Sequence, residues 1–231
     1  MKQSPPPAPP VPLELSGPTA GHPAFVLTSA LFFASGFAAL SYQVAWQRAL
    51  FGWYGVDLDS VSAIVSIFML GLGVGALAGG WMADRWPHHR LMVFSVIEGL
   101  IALFGFFSLD IIDGAGALFF NQPLPVIVGL TFLVFLIPTC AMGATLPVLV
   151  TELTSRTGNV GASTGQLYYI NTLGAAIGAV TVAYVLLPWG GLDGAVRVAA
   201  LVNLAISLTA AVALNRSAGH LLETPAKGAT A

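Results

Sequence analysis

LPVIVGLTFLVFLIPTCAMGATLPVLV, residues 124–150, is the longest apolar run in the chain and carries no charged side chain. Crossing a hydrocarbon core of about 30 Å takes roughly 20 helical residues. Lipid offers no partner to a backbone N–H or C=O, so a run of this length must satisfy its own amides as a helix. Nothing in it alternates as a barrel strand would. Pro138 and Pro147 fall inside the run. Each removes a helix donor and crowds the carbonyl four residues back, which predicts a kink or a break. Broken helices line substrate sites in transporters, and proline is also frequent in ordinary spans.

Outward from this run, five more apolar stretches are long enough to cross: 24–47, 60–83, 91–109, 163–187 and 195–214. The reading is an all-α membrane protein of about six transmembrane helices occupying 24–214. Composition requires the same. Hydrophobic residues make up 56% of the chain and charged residues 8%, against about 25% charged in an ordinary soluble domain. Mean hydropathy is +0.85. So little charge cannot cover a water-facing surface, so the bilayer is the expected partner. The formal net charge of -2 lacks the basic excess that nucleic acid demands. Cys140 is the single cysteine, which excludes a disulfide framework and a cysteine-based zinc site. No feature of the chain calls for a cofactor or a metal.

Residues 1–23 form a proline-rich polar segment expected to be a disordered tail. With one lysine and no small-residue cleavage site, it does not read as a secretory signal, and the first span is expected to stay uncleaved. With the N-terminus inside, Lys2, Arg85, Arg90, Arg156, Arg216 and Lys227 lie on the cytoplasmic side. Arg48 and Arg197 then lie outside. That bias places both termini, including the short tail 215–231, in the cytoplasm. Asp57, Asp59, Asp110, Asp113 and Asp193 fall on the outer side and carry little weight in this rule.

Small residues predict where helices touch. Gly71, Gly75 and Gly79 repeat every four residues, and Gly174 and Gly178 do the same further on. Lacking side chains there, two backbones can approach closely. Polar residues at membrane depth are the candidate sites. Glu98 stands seven residues into its span, roughly 10 Å deep at 1.5 Å per residue. An acid against lipid is costly, so it is expected to face the bundle and find a partner or a proton. Asn171, at similar depth on the fifth span, is the expected partner. A structural hydrogen bond and a proton or substrate site are both open readings of the pair.

Tyr42, Gln43 and Trp46 share one helical face at the outer end of the first span, followed by Gln47 and Arg48. The plain expectation is an interfacial aromatic belt with a snorkelling arginine; the other is one wall of a polar cavity. Between the second and third spans, Asp84 and Arg85 can pair with each other, with a helix terminus or with a neighbouring span. His88 and His89 read as loop residues, with no cluster nearby that would make them metal ligands.

Three phrases together resemble one family: GFAALSYQVAWQRAL at 36–50, PTCAMGATLPVL at 138–149 and GQLYYINTLGAAIGA at 165–179. They are similar to the membrane domain of bacterial membrane-bound spermidine synthase-like proteins, the fused major facilitator/spermidine synthase family, from about residue 25 to 214. The loop at Gly80, Asp84 and Arg85 separately resembles the cytoplasmic loop of major facilitator transporters, and departs from it at Pro87 and His88. The resemblance implies a six-helix half of a facilitator bundle in a bacterial inner membrane. It implies glutamate after the first-span tyrosine, where this chain has Gln43. It also implies an aminopropyltransferase domain after the membrane part. The tail 215–231 has no glycine-rich nucleotide loop or acidic amine site, so this chain is not expected to catalyse aminopropyl transfer alone.

Two functions follow as expectations. One is a membrane domain that binds or moves a small cationic solute such as a polyamine. As half of a bundle, it would be completed by a second copy or another membrane chain. The other is a non-catalytic anchor for a separately encoded synthase. An intramembrane enzyme built on Cys140 or Glu98 is the weakest reading, because no histidine lies within a span to act as base. Candidate solute-contacting residues are Glu98, Asn171, Tyr42, Gln43 and Tyr168. Candidate structural or gating residues are Gly80, Asp84, Arg85, Pro138 and Pro147.

Overall fold

The computed structural model describes residues 23–54, 58–119 and 122–222, and all regular structure among them is helical. The tail 1–22 with Lys2, Asp57 and the segment 223–231 with Lys227 lie outside the described residues. The elements are α1 (Pro23–Tyr54), α2 (Leu58–Arg85), α3 (Arg90–Phe119), α4 (Leu124–Thr157), α5 (Val160–Thr181), a π-helical turn (Val182–Leu186) and α6 (Leu187–Leu222). Each apolar stretch read from the sequence falls inside these elements, and most helices run several residues further.

Five stretches among the described residues are long and apolar enough to cross a membrane: Phe25–Gly52, Ile64–Arg85, Arg90–Leu118, Gly129–Thr157 and Val160–Leu214. The last is 55 residues long, roughly 80 Å at 1.5 Å per residue, far beyond one bilayer. Two features interrupt it. The π-helical turn comes first, and then Gly191 leaves helical geometry at φ 64°, ψ -165°. Only glycine takes that φ at no steric cost.

This break sits where the prolines did not put one. The sequence predicts a kink or a break of α4 at Pro138 or Pro147; α4 is one helix through both, so it does not break there. Near the prolines, Thr139 Oγ1 donates to the Phe135 carbonyl at 2.7 Å and Thr151 Oγ1 to that of Pro147 at 2.6 Å, the ordinary back-bonding of threonines in a helix. The extensive contact with α2 holds the helix in place. Between α4 and α5 the chain turns sharply. Gly158 caps α4 at φ 70°, and Asn159 Oδ1 accepts from the Ala162 amide at 3.0 Å.

The closest helix pairs are α2 with α4, α1 with α5, and α3 with α6; α1 also packs on α6, and α3 on α4. The glycine stripes lie in two of these seams. A Cβ at Gly71, Gly75 or Gly79 would strike Thr139, the Cys140 carbonyl or Ala144 of α4. One at Gly174 or Gly178 would strike the carbonyls of Phe33 or Phe37 in α1. These are the close backbone approaches that small residues permit.

Trp46 anchors the centre. Its ring stacks on Tyr42 at 4.7 Å and meets Phe135 at 5.0 Å, Phe104 at 5.6 Å and Phe68 at 6.0 Å. Its indole N–H donates to Ser108 Oγ at 2.8 Å. The expected interfacial belt is therefore corrected: Tyr42 and Trp46 are fully buried, and only Arg48 of that segment is exposed. Inter-helix packing won over the interface because α3 and α4 present aromatic partners and Gly105 leaves room for the tyrosine. The outward faces carry Leu77, Leu118, Ile137, Tyr184 and Trp189, all largely exposed. So apolar a surface belongs against lipid.

Candidate functional site

A cavity of about 250 Å³ opens among α1, α2, α4 and α5. Its polar edge comes from Ser35 and Gln43 on α1 and from Tyr168 and Asn171 on α5; Phe32, Leu72, Met142 and Leu146 supply apolar wall. Ser35, Ala39 and Gln43 recur every four residues, so one face of α1 supplies all three. The α5 face is brought close by Gly36, where a Cβ would run into the backbone carbonyl and Oδ1 of Asn171. Three residues singled out in the sequence, Gln43, Tyr168 and Asn171, therefore meet in one space. Tyr168 is largely exposed, and Gln43 and Asn171 are half-buried.

Glu98 lies just behind this cavity and is fully buried. Ser35, a cavity residue, donates its hydroxyl to Glu98 Oε1 at 2.6 Å. Asn203 Nδ2 on α6 donates to Oε2. The expected pairing with Asn171 is therefore corrected. Glu98 faces the bundle, but the helix packed on α3 is α6 rather than α5, so its amide partner is Asn203. One turn away, Ser95 and Ser207 clasp the same seam: Ser95 Oγ donates to the Ser207 carbonyl at 2.8 Å, and Ser207 Oγ to that of Ser95 at 2.7 Å.

Two buried polar atoms near this core have no hydrogen-bond partner, Tyr42 Oη and Asn203 Oδ1. Tyr42 does not line the cavity; its hydroxyl points at Gly105 of α3. Among the described residues no three His, Cys, Asp or Glu side chains gather as a metal site would require.

At the far end of α2, Asp84 and Arg85 are exposed and Gly80 has open space beside it. The residue that joins helices here is Arg90. Its Nε donates to the Ala83 carbonyl at 3.1 Å, and its Nη1 to the Thr151 carbonyl at 3.4 Å. One guanidinium thus ties the C-terminal turn of α2 to α4, where unsatisfied carbonyls and the helix dipole both favour a cation.

Sequence reasoning missed Ser35, Asn203 and Arg90 as functional positions. Asn203 had a usable signal, being a lone amide within the apolar stretch 195–214. Ser35 had none, since serines are common in spans.

Fold and site together define a helical membrane protein with a small, partly polar cavity backed by a buried carboxylate. The chain is 26% identical over 201 residues to polyamine aminopropyltransferase 1 of Streptomyces coelicolor, an alignment covering 86% of this chain and 36% of that protein. It thus spans about a third of that relative's length. No family model and no solved structure matches it.

Proposed function

We propose that this chain is the membrane domain of a spermidine synthase-like protein and that its cavity binds a small cationic solute such as a polyamine. The helices cross six times, the Val160–Leu214 stretch making two crossings by reversing at Gly191, with both termini in the cytoplasm of a bacterial cell. The arrangement corresponds to half of a facilitator bundle.

One observation carries the binding reading: Ser35 both lines the cavity and bonds to buried Glu98. A polyamine is a string of methylenes between ammonium groups. Phe32, Leu72 and Met142 suit the methylenes, the side-chain oxygens of Gln43, Asn171 and Tyr168 suit an ammonium, and Glu98 supplies the countercharge. The distant likeness to a polyamine aminopropyltransferase supports the solute class. Calorimetry with spermidine on the protein in lipid nanodiscs tests it. Saturable binding weakened at least tenfold by Gln43→Leu with Asn171→Leu is expected; no heat above the dilution blank rejects it.

The same likeness supports a second reading, a non-catalytic membrane anchor for an aminopropyltransferase. In that case spermidine does not bind, and the synthase co-purifies with the membrane chain.

A further inference from the structure

The site at Glu98 is more specialised than a countercharge. Glu98 is fully buried among α1, α3 and α6, and its carboxylate receives two neutral donors, the Ser35 hydroxyl and the Asn203 amide. Among the described residues no cationic side chain pairs with it. Two neutral donors do not cancel a full negative charge in a low-dielectric core. A buried carboxylate left in that position takes up a cation, and the smallest available is a proton.

Asn203 supplies the other half of the argument. Its Nδ2 donates to Glu98, while its Oδ1 is buried with no partner. A protonated carboxyl needs an acceptor for its O–H, and the side-chain amide holds one unused. Turning over the amide end of Asn203 exchanges Nδ2 for Oδ1 with almost no change in shape. Either orientation leaves one polar amide atom without a partner, so the protonation state of Glu98 decides between them. The Ser35 hydroxyl serves both states as donor to Oε1, and Ser35 is also one of the residues that line the cavity.

We propose that Glu98 and Asn203 form a one-proton binding site, with the Asn203 amide turning over as the proton comes and goes. We propose also that Ser35 links this site to the cavity, so that a cation entering the cavity expels the proton. The observed orientation, with Nδ2 on Oε2, is that of the ionised carboxylate; with the proton bound and no cation in the cavity the amide is reversed, and Glu98 Oε2–H donates to Asn203 Oδ1. When an ammonium arrives, that O–H bond breaks and the proton leaves to water by way of the cavity. The ammonium then balances the carboxylate, and Asn203 Nδ2 donates to Oε2. The other groups around Glu98 do not substitute for it. Tyr42 is the titratable residue of α1 within its electrostatic reach. On α4, Glu152 and Arg156 pair with each other near the helix end, as do Asp193 and Arg197 on α6. The charges of α2, Asp84 and Arg85, are exposed at its terminus, and α3 itself carries Arg90, Asp110 and Asp113 toward its two ends.

The proton site stands without any ligand; the link to the cavity rests on the binding reading above, and the experiment separates them. Infrared difference spectra of the wild-type protein in nanodiscs, recorded across pH without solute, should show a protonated-carboxyl C=O band that disappears reversibly as pH rises. Glu98→Gln should abolish the band. Asn203→Leu should keep it but move it to higher frequency, because its O–H has lost the acceptor. Absence of a titrating band in the wild type overturns the proton site, whether or not the variants fold. Spermidine is then added at a pH where the band is present. Loss of the band, release of one proton per spermidine, and affinity rising about tenfold per pH unit in that range are expected from linkage. Bound spermidine with an unchanged band overturns the link through Ser35. Failure of spermidine to bind, with the titrating band intact, rejects the polyamine reading and supports the proton site on its own.

Discussion

Gly75 of α2 rests directly on the backbone carbonyl of Cys140 in α4, with no space between them for a single added carbon. Gly174 of α5 stands in the same relation to Phe33 in α1. Lipid tails are as apolar as the helices, so burial of oily surface does little to join them. Contact between backbones has to do it, and these glycines are where the two best-packed seams close.

Gly75→Leu and Gly174→Leu should each destabilise the bundle in detergent. Overpacking a tight seam costs about 1–3 kcal/mol, occasionally more, and here the obstructing atoms are backbone that cannot rotate aside. Gly73 is exposed on the same helix with open space beside it, so Gly73→Leu is the control. Thermal unfolding followed by circular dichroism reads all three. Equal midpoints would place the glycine faces against lipid and undo the packing described.

Topology can be checked with compartment-sensitive reporters. Fusions at Gly116 and Gly191 should report the outer side, and fusions after Arg216 the inner side. The proposed reversal at Gly191 is the critical point. A C-terminal reporter found outside would mean that Val160–Leu214 crosses an odd number of times.

Arg90 rather than Arg85 should control the C-terminal end of α2. Arg90→Gln removes bonds to the Ala83 and Thr151 carbonyls, each worth about 1.5–3 kcal/mol for a charged donor, less here because the group is partly exposed. Hydrogen exchange should accelerate in the last turn of α2. Arg85→Gln, at an exposed position, should leave it unchanged. Equal protection in both variants argues that the clamp is unimportant in lipid.

Much of the fold was legible because two signals in a membrane sequence are purely local. Apolar length marks a helix, and glycines four apart mark a face that touches another helix. Depth is local too, which is why Glu98 could be assigned to the bundle interior. Rotation and neighbour choice are not. Asn171 and Asn203 are both amides in apolar stretches, and only the packing of α6 rather than α5 on α3 decides between them. Of the kink or break that Pro138 and Pro147 predict, the break does not occur: each proline removes one donor, and the close contact of α4 with α2 is not local information. Position in the span points to an interfacial Tyr42 and Trp46, whereas aromatic partners on α2, α3 and α4 draw Trp46 into the core.

The partner of Glu98 can be settled energetically, apart from any proton or solute. Glu98 Oε2 accepts from Asn203 Nδ2, so removing either residue alone strands a buried polar group, at about 1–3 kcal/mol and more for a charged one. Glu98→Leu should be destabilising, and so should Asn203→Leu. The double variant replaces both polar groups with apolar ones and should recover part of the summed loss, with a coupling of about 0.5–3 kcal/mol. Asn171 faces Gly36 across the α1–α5 seam and has no bond to Glu98. Glu98→Leu combined with Asn171→Leu should therefore be additive within about 0.3–0.5 kcal/mol. Unfolding in mixed micelles measures both cycles on the same footing. Coupling to Asn171 with additivity at Asn203 would reverse the assignment, placing α5 rather than α6 beside the carboxylate.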